Sequence, residues 1–453
     1  MAAIARQIAL SVLAAINDSN VTLDHLLTQA FEQKPQLIQR DRALVTQLVY
    51  GVLRWRNRLD WVIQHLSRSP FHKIDPLVLN IVRLGLYQIL FLSRVPVSAA
   101  VNDSVELAKR MAPGWVVGFV NAILRSAAQR ENDIPLPDYN DDPVAAIAIQ
   151  ESHPAWMVKR WVKRMGVEDA KRLCKANNEI PPVTVRANTL KVSRERLGES
   201  LSAHVNKISQ TRFAPEGLIL RGLRQSIREM PAFQKGWFQV QDEAAQLISY
   251  LLEPKPGEMI LDACAGLGGK TGHIAQLMKD SGKITAVDYQ SRKLSELKAS
   301  MQRLGVFSVT TLRHDLAASI PEKLAETFDR ILLDAPCSGL AVIRRNPDIK
   351  WKKQAEDLAR LQSKQQRLLA GLARLVKKGG LLVYCVCSFE PEEGEKVLED
   401  FLKSRSDFAI DGLSAGPDEI CGPFVDRSGI FRTLPHEHDM DGFFAVRLRK
   451  VAP

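Results

Sequence analysis

The sequence predicts a multidomain chain. It has an all-α N-terminal part, then a small α/β module, then a C-terminal α/β domain on a mostly parallel sheet. Three observations carry this. Apolar positions recur at helical spacing through the first 130 residues. After Pro181-Pro182, strand-like pieces appear around a single helix. From residue 241 short apolar strands alternate with helical stretches, which implies a parallel sheet covered on both faces. At roughly 100–200 residues per domain, a length of 453 residues fits two to four domains.

Composition narrows the classes. Hydrophobic residues at 45% and charged residues at 25% exclude disorder as the main theme. The 26 Gly and 23 Pro are scattered, which excludes collagen-like repeats. Six Cys, none in a CxxC pair, exclude a disulfide scaffold and a zinc ribbon, and no metal is expected. A reducing cytoplasm is the expected compartment. No run reaches the roughly 20 apolar residues of a membrane span, and the most apolar stretch, 81–92, is broken by Arg83 and Gln88. Ile8, Val12, Leu13 and Ile16 share a helix face, so the N-terminus reads as an amphipathic helix, not a signal peptide.

In order, the helices are expected at 4–16, 22–31, 41–66, 76–92, 98–111 and 115–129, with Asp41 placed to cap the third. Pro70, Pro76, Pro96 and Pro113 fall between the runs, where helices stop or start. Residues 131–143 are polar and acidic and read as a linker, so the first domain is taken as 1–140. Residues 144–178 continue as helix. Strands at 183–186 and 217–220 flank a helix near 193–203, and the second domain is taken as 144–240. The third, 241–453, carries strands at 259–264, 283–288, 308–313, 330–334 and 380–385.

The net charge of +11 is unevenly spread. Residues 1–145 hold 15 Lys+Arg against 13 Asp+Glu, residues 146–240 hold 17 against 8, and residues 241–453 hold 30 against 30. The excess therefore concentrates in the middle, notably at Lys159, Arg160, Lys163 and Arg164. Charge alone leaves a solvated helix and a nucleic-acid grip as equal alternatives.

The sharper residues sit at strand ends, where such sheets bind ligands. The first strand of the last domain runs into Asp262-Ala-Cys-Ala-Gly-Leu-Gly-Gly-Lys-Thr271. Its glycines let a ligand approach the backbone, and the following helix N-terminus favours an anionic group. Thr271 stands where a dinucleotide fingerprint needs its third Gly, and Cys264 where a P-loop needs its first. The methionine end of S-adenosylmethionine is the third reading. Asp288 ends the second strand and suits two ribose hydroxyls; Asp315 follows the third and suits an adenine amino group. The fourth strand gives Asp334-Ala-Pro-Cys-Ser-Gly339, and the fifth gives Cys385-Val-Cys-Ser388. A free Cys is more often a small buried hydrophobe than a nucleophile, which suits Cys174, Cys421 and Cys385. It suits less well two cysteines, each followed by Ser, beside a cofactor loop. A thiol has a chemical use there. Cytosine C5 attacks a methyl sulfonium only after a thiolate adds to C6 and makes C5 enamine-like. Asp334 is placed to hydrogen-bond the base edge.

These strings, with Val342–Trp351, Cys387–Glu393 and Asp441-Gly-Phe-Phe444, resemble the bacterial ribosomal RNA cytosine-C5 methyltransferases of the Sun/Fmu (NOL1/NOP2/Sun) family. Val185–Lys191 and Gly236–Asp242 look like the family's small RNA-binding module and its junction to the catalytic domain. Asp41–Leu44, Tyr50–Arg54, Arg83–Gln88 and Phe119–Arg125 look like its helical NusB-like extension. The resemblance covers essentially the whole chain. It implies a NusB-like all-α N-terminal domain and a C-terminal Rossmann-like class I methyltransferase domain. It also implies methyl transfer from S-adenosyl-L-methionine to C5 of a cytosine in 16S (small-subunit) rRNA or an assembly intermediate, by a monomer.

The resemblance further implies Cys387 as nucleophile and Cys337 as the group assisting product release. The cofactor would meet Cys264, Ala265, Gly266, Leu267, Gly268, Gly269, Lys270, Asp288, Asp315 and Asp334. Phosphates would meet Lys159, Arg160, Lys163, Arg164, Arg344, Arg345 and Lys350. The family usually has Ala-Pro at Gly266-Leu267, Thr-Gly at Leu340-Ala341 and Thr at Val386. The hydroxyl missing at 386 is expected to alter support of the thiolate. The rival readings are a non-enzymatic RNA-binding protein and a P-loop NTPase. Binding of S-adenosylmethionine or of a nucleotide separates them.

Overall fold

A computed structural model of the chain describes residues 2–18, 21–130, 133–324, 327–413 and 415–451. It divides into two compact units. The first comprises residues 1–179 with 343–353, and the second 180–342 with 354–453.

The first unit is helical: α1 (Ala2–Asp18), α2 (Leu23–Glu32), α3 (Gln39–Leu66), α4 (Pro76–Phe91), α5 (Val97–Met111), α6 (Gly114–Arg130), α7 (Pro143–Gln150), α8 (Ala155–Met165) and α9 (Val167–Asn178). Faces of α1 to α6 close one apolar core that includes Leu10, Leu48, Ile63, Ile81 and Leu124. Gly51 lets α3 approach α4, since a Cβ there would lie 1.9 Å from the Tyr87 ring. Inside the bundle Arg83 grips both oxygens of Asp60, at 2.6 and 2.8 Å. Asp41 is not the cap of α3. The helix starts two residues earlier, with Ile38 at its N-cap, so Asp41 sits within the first turn. Residues 144–178 fall within this first compact unit.

Helix α3 is kinked at Trp55 (φ −108°, ψ 15°). A kink releases backbone groups that must find other partners. The Asn57 N–H donates to Ser152 Oγ at 2.9 Å. The Leu53 carbonyl accepts from Trp351 Nε1 at 2.6 Å, and the Arg54 carbonyl from Lys350 Nζ at 2.9 Å. Residues 343–353 thus complete the helical unit.

The second unit begins with strands β1 (Val183–Ala187), β2 (Val205–Gln210), β3 (Gly217–Leu223) and β4 (Phe238–Val240). They form an antiparallel sheet in the order β2-β3-β1-β4. With helices at Arg194–Leu201 and Pro231–Gln234 the connectivity is βαββαβ, a ferredoxin-like arrangement. Arg186 leaves this sheet fully buried, donating to the Gly269 carbonyl at 3.0 Å and to Gln276 at 3.3 Å.

The larger sheet contains β5 (Met259–Asp262), β6 (Lys283–Asp288), β7 (Val309–Arg313), β8 (Phe328–Asp334), β9 (Val376–Val386), β10 (Phe408–Ile410), β11 (Ile430–Thr433) and β12 (Phe443–Lys450). Its order is β10-β12-β9-β8-β5-β6-β7, with β11 paired to β12. Strands β5 to β9 pair in parallel, and β12 is antiparallel to β9. From β5 the chain builds outward to β6 and β7, then crosses to β8 on the other side. The β5/β8 boundary is therefore the topological switch point, where such sheets hold ligands outside their carboxyl ends.

Candidate active site

The carboxyl ends of β5, β6, β8 and β9 bring most of the sequence-derived candidates together. After β5 the loop 263–268 turns into the helix Gly269–Leu277. Gly266 and Gly268 have φ of +56° and +82°, where L side chains are strained. A Cβ on Gly266 or Gly269 would meet nothing within 4 Å, so the loop faces open space. A Cβ on Gly268 would lie 2.6 Å from Leu297 Cγ, which fixes the loop's underside.

Asp262 is buried under this loop. Its Oδ2 accepts from Thr271 Oγ1 at 2.6 Å, and its Oδ1 has no hydrogen-bond partner among the described residues. Burial pushes its carboxyl up to about 7, against the Thr271 hydrogen bond and with help from Asp334. Asp288, at the end of β6, accepts from the Gly266 N–H at 3.1 Å and the Gln290 N–H at 2.8 Å. Its carboxylate thus braces the glycine loop. Asp315 is exposed and turns its own loop by accepting from the Ala317 N–H at 3.0 Å. A cavity lined by Cys264, Asp288, Tyr289, Asp315, Pro336 and Lys364 joins these strand ends.

An open glycine loop, free first-turn amides of a helix, an orphaned carboxylate oxygen and acids on the next two strands suit a zwitterionic amino acid joined to a nucleoside. They fit S-adenosylmethionine. They fit a phosphate cradle poorly, because Lys270 is committed elsewhere. Its Nζ lies 2.6 Å from Asp334 Oδ2 and 4.8 Å from the Phe443 ring centroid. Burial opposes that ammonium, but the Asp334 carboxylate outweighs it and holds Lys270 above its ordinary value.

The thiols occupy the neighbouring strand ends. Cys337 Sγ and Cys387 Sγ are 3.0 Å apart. The hydrogen bond to Cys387 and then burial push the Cys337 thiol up, so Cys337 keeps its proton. Cys385 lies 3.5 Å from Asp334 Oδ1, and burial with that carboxylate raises its thiol as well. Burial raises the Cys174, Cys264 and Cys421 thiols, and Cys174 and Cys421 lie in the core.

A buried clamp that sequence reasoning missed holds the two loops in register. Glu393 Oε1 accepts from the Ser338 N–H at 2.7 Å and from Gln365 Nε2 at 3.1 Å, while Oε2 takes the Ser338 hydroxyl. Ser338 and Ser388 hydroxyls meet at 3.2 Å, and the Ala341 N–H donates to the Cys387 carbonyl at 3.2 Å. The Ser after each Cys was the available signal.

The departures from the family strings fall in well-packed places. Val386 is buried in an apolar cluster with Tyr384, Phe444 and Leu448, while Cys385 and the Cys387 side chain pack on the other cluster. Period-two alternation therefore points residue 386 to the opposite face of the strand from the Cys387 side chain, into the cluster that Cys337 also packs against. Ala341 packs on Gly442, where a Cβ would come within 2.6 Å of the Ala341 Cβ. Leu267 is exposed on the loop.

The basic candidates separate. On α8, Lys159, Lys163 and Arg164 are exposed and Arg160 half-buried, while Met157, Val158 and Trp161 face the core. Lys350 and Arg344 are only 1% and 2% exposed. The Lys350 ammonium donates to the Arg54 and Ser152 carbonyls and to Asn178 Oδ1, each at 2.9 Å. With three donors and three acceptors it has nothing left for a phosphate. The expectation of phosphate contact at Lys350 and Arg344 is therefore corrected, because both side chains are buried. Arg345 is half-buried in the same segment. Among the described residues no cluster of His, Cys, Asp and Glu is arranged to hold a metal, and no helix is long and apolar enough to cross a membrane.

Comparison with known proteins gives consistent matches. Residues 249–449 match the family described as 16S rRNA methyltransferase RsmB/F, residues 3–129 the NusB family, and residues 153–225 the RsmF/B-like ferredoxin-like domain. The chain is 37% identical over 446 residues to the probable ribosomal RNA small subunit methyltransferase B of Bacillus subtilis, covering 98% of each. It is 38% identical over 450 residues to the protein of the same description from Synechocystis sp., covering 99% of each. The crystal structure of PH0851 superposes with a TM-score of 0.82 at 26% identity, over 98% of this chain and 99% of that one.

Proposed function

Because the chain belongs to the family of ribosomal RNA small-subunit methyltransferases B, we propose that it methylates C5 of a specific cytosine in 16S rRNA through a covalent adduct at Cys387. The observation that carries this is the thiol pair, 3.0 Å apart, at adjoining strand ends next to the glycine loop. S-adenosylmethionine supplies an electrophilic methyl group. The loop 263–270 with Asp288 and Asp315 would hold it.

The Cys387 thiolate adds to C6 of the cytosine, forming a C6–S bond and making C5 nucleophilic. C5 would then take the methyl group from the sulfonium, whose S–CH3 bond breaks to leave a neutral thioether. Loss of the C5 proton and breakage of the C6–S bond release 5-methylcytosine and restore Cys387. Lys270 places a positive charge beside the thiols. Asp334 holds Lys270 there. Cys337 stays protonated against Cys387, where it can serve the release step. The target base must be unpaired or flipped to reach this cleft, and the exposed cations of α8 would hold the RNA backbone.

Bisulfite sequencing of 16S rRNA from cells with and without the gene tests the reading. One cytosine is expected to resist conversion only when the gene is present. Identical conversion patterns would overturn the assignment.

A further inference from the structure

The ferredoxin-like module carries a partly open tryptophan in an unusually fixed frame. Gly236 has φ +72°, and a Cβ there would lie 1.9 Å from the Arg303 carbonyl oxygen, so only Gly fits. The next residue, Trp237, has both backbone groups in use. Its N–H donates to the Ala232 carbonyl at 2.9 Å, and its carbonyl accepts from the Asn188 N–H at 2.8 Å. The Asn188 side chain ties the Gly236 carbonyl at 2.9 Å and the Leu304 carbonyl at 2.8 Å. The backbone that carries the indole is thereby fixed.

The ring packs on the module's core but is not closed over. Two exposed cations attend it: Arg196 at 5.5 Å and Lys235 at 5.2 Å from the ring centroid. No carboxylate among the described residues forms an ion pair with either. Cation–π attraction holds each weakly, at about 0.5–1 kcal/mol for an exposed site, and the two like charges repel one another. A ligand with a flat π-face and a nearby negative charge relieves this. An unpaired nucleotide has both; a duplex hides its base faces in the stack.

We propose that Trp237, with Arg196 and Lys235, is a stacking platform for an unpaired nucleotide of the RNA substrate. The proposal rests on the RNA methyltransferase reading. It assigns the module a definite contact: one base on the indole, and its phosphates on the two side chains. This contact is separate from the basic face of α8.

The test uses the full chain and a short single-stranded RNA labelled for fluorescence anisotropy. Trp237→Ala is expected to weaken binding about tenfold or more, and Trp237→Phe to keep most of the affinity. The double variant Arg196→Gln/Lys235→Gln should reduce the slope of log K against log[salt] by roughly 1 to 1.4. Both of its positions are exposed, so it reports even where Trp237→Ala fails to fold. Melting temperature and S-adenosylmethionine affinity should not change in the double variant. Wild-type affinity and salt slope in a folded Trp237→Ala, or in the double variant, would overturn the platform and leave the methyltransferase reading standing. A wild-type chain that binds no RNA and methylates none would overturn both.

Discussion

At the scale of single residues, the family resemblance gives different roles to two similar side chains that touch at 3.0 Å. Cys337 is held protonated by its hydrogen bond to Cys387 and by burial, so it is a poor attacker and a ready partner at the release step. Cys387→Ala should therefore abolish methyl transfer, a loss of at least about a thousandfold, because no other thiol is placed to attack C6. Cys337→Ala should instead accumulate a protein–RNA adduct that survives denaturing electrophoresis. Appreciable transfer by the first variant, or normal turnover without adduct in the second, would reverse the assignment. Asp262 gives a pH signature. Its carboxyl is raised to about 7 when folded, against about 3.9 for an unfolded aspartate. The folded chain thus holds an extra proton between those values. Its contribution to stability is full below about pH 4 and is lost as pH rises through about 7. A cationic amine against the orphaned Oδ1 would favour the carboxylate. Cofactor affinity should then rise from pH 6 to pH 8, with a proton released to buffer, and Asp262→Asn should flatten that rise. Calorimetry in two buffers measures both effects, and an equally steep rise in Asp262→Asn would rule Asp262 out as the source.

At the scale of elements, legibility followed burial and locality. Strands β5, β6, β8 and the apolar end of β9 were readable because each is an apolar run that ends in a chemical motif, and the motifs fall where a parallel sheet displays them. The helices of the first unit were readable from periodicity, to within a few residues at each end. Strand β2 was not, since it is an edge strand with only Val205 buried and no apolar alternation to detect. Strand β12 was hidden for the opposite reason. Arg447 lies in it 2% exposed, neutralised by Asp411 at 2.7 Å and Glu253 at 3.2 Å, and a buried Arg does not look like a core residue. The site itself divides the same way. Cys337, Cys387 and the glycine loop stand in local strings. The Glu393 clamp joins residues 55 apart in sequence, and the Lys270–Asp334 pair residues 64 apart, so neither can be read from spacing. The kink at Trp55 was likewise invisible, because it is fixed by partners at 152, 350 and 351.

At the scale of the molecule, the helical unit is discontinuous in sequence, and its last piece lies only six residues beyond Cys337. Residues 343–353 carry charges that invite an RNA-binding reading, but their placement makes them structural. The Trp351 ring packs on the helical core, Lys352 Nζ reaches the Val21 carbonyl at 2.9 Å, and the Arg344 carbonyl accepts from Arg54 at 2.9 Å. Lys350 closes three acceptors at once, and burial holds its ammonium well below the ordinary lysine value. Replacing it with an apolar chain of similar length leaves two carbonyls and an amide oxygen buried without donors, each costing about 1–3 kcal/mol when unmade. Lys350→Met should therefore destabilise the helical unit by about 2–4 kcal/mol, after partial relaxation, seen as a lowered calorimetric transition. Lys353→Met, in the same segment but half-buried and outside this network, should change stability by less than about 0.5 kcal/mol. RNA binding separates the two roles. A buried ammonium releases no counterions, so in a sample that remains folded Lys350→Met should keep the wild-type salt slope. A stable Lys350→Met chain with a flattened slope would return Lys350 to the RNA surface and remove the segment's structural role.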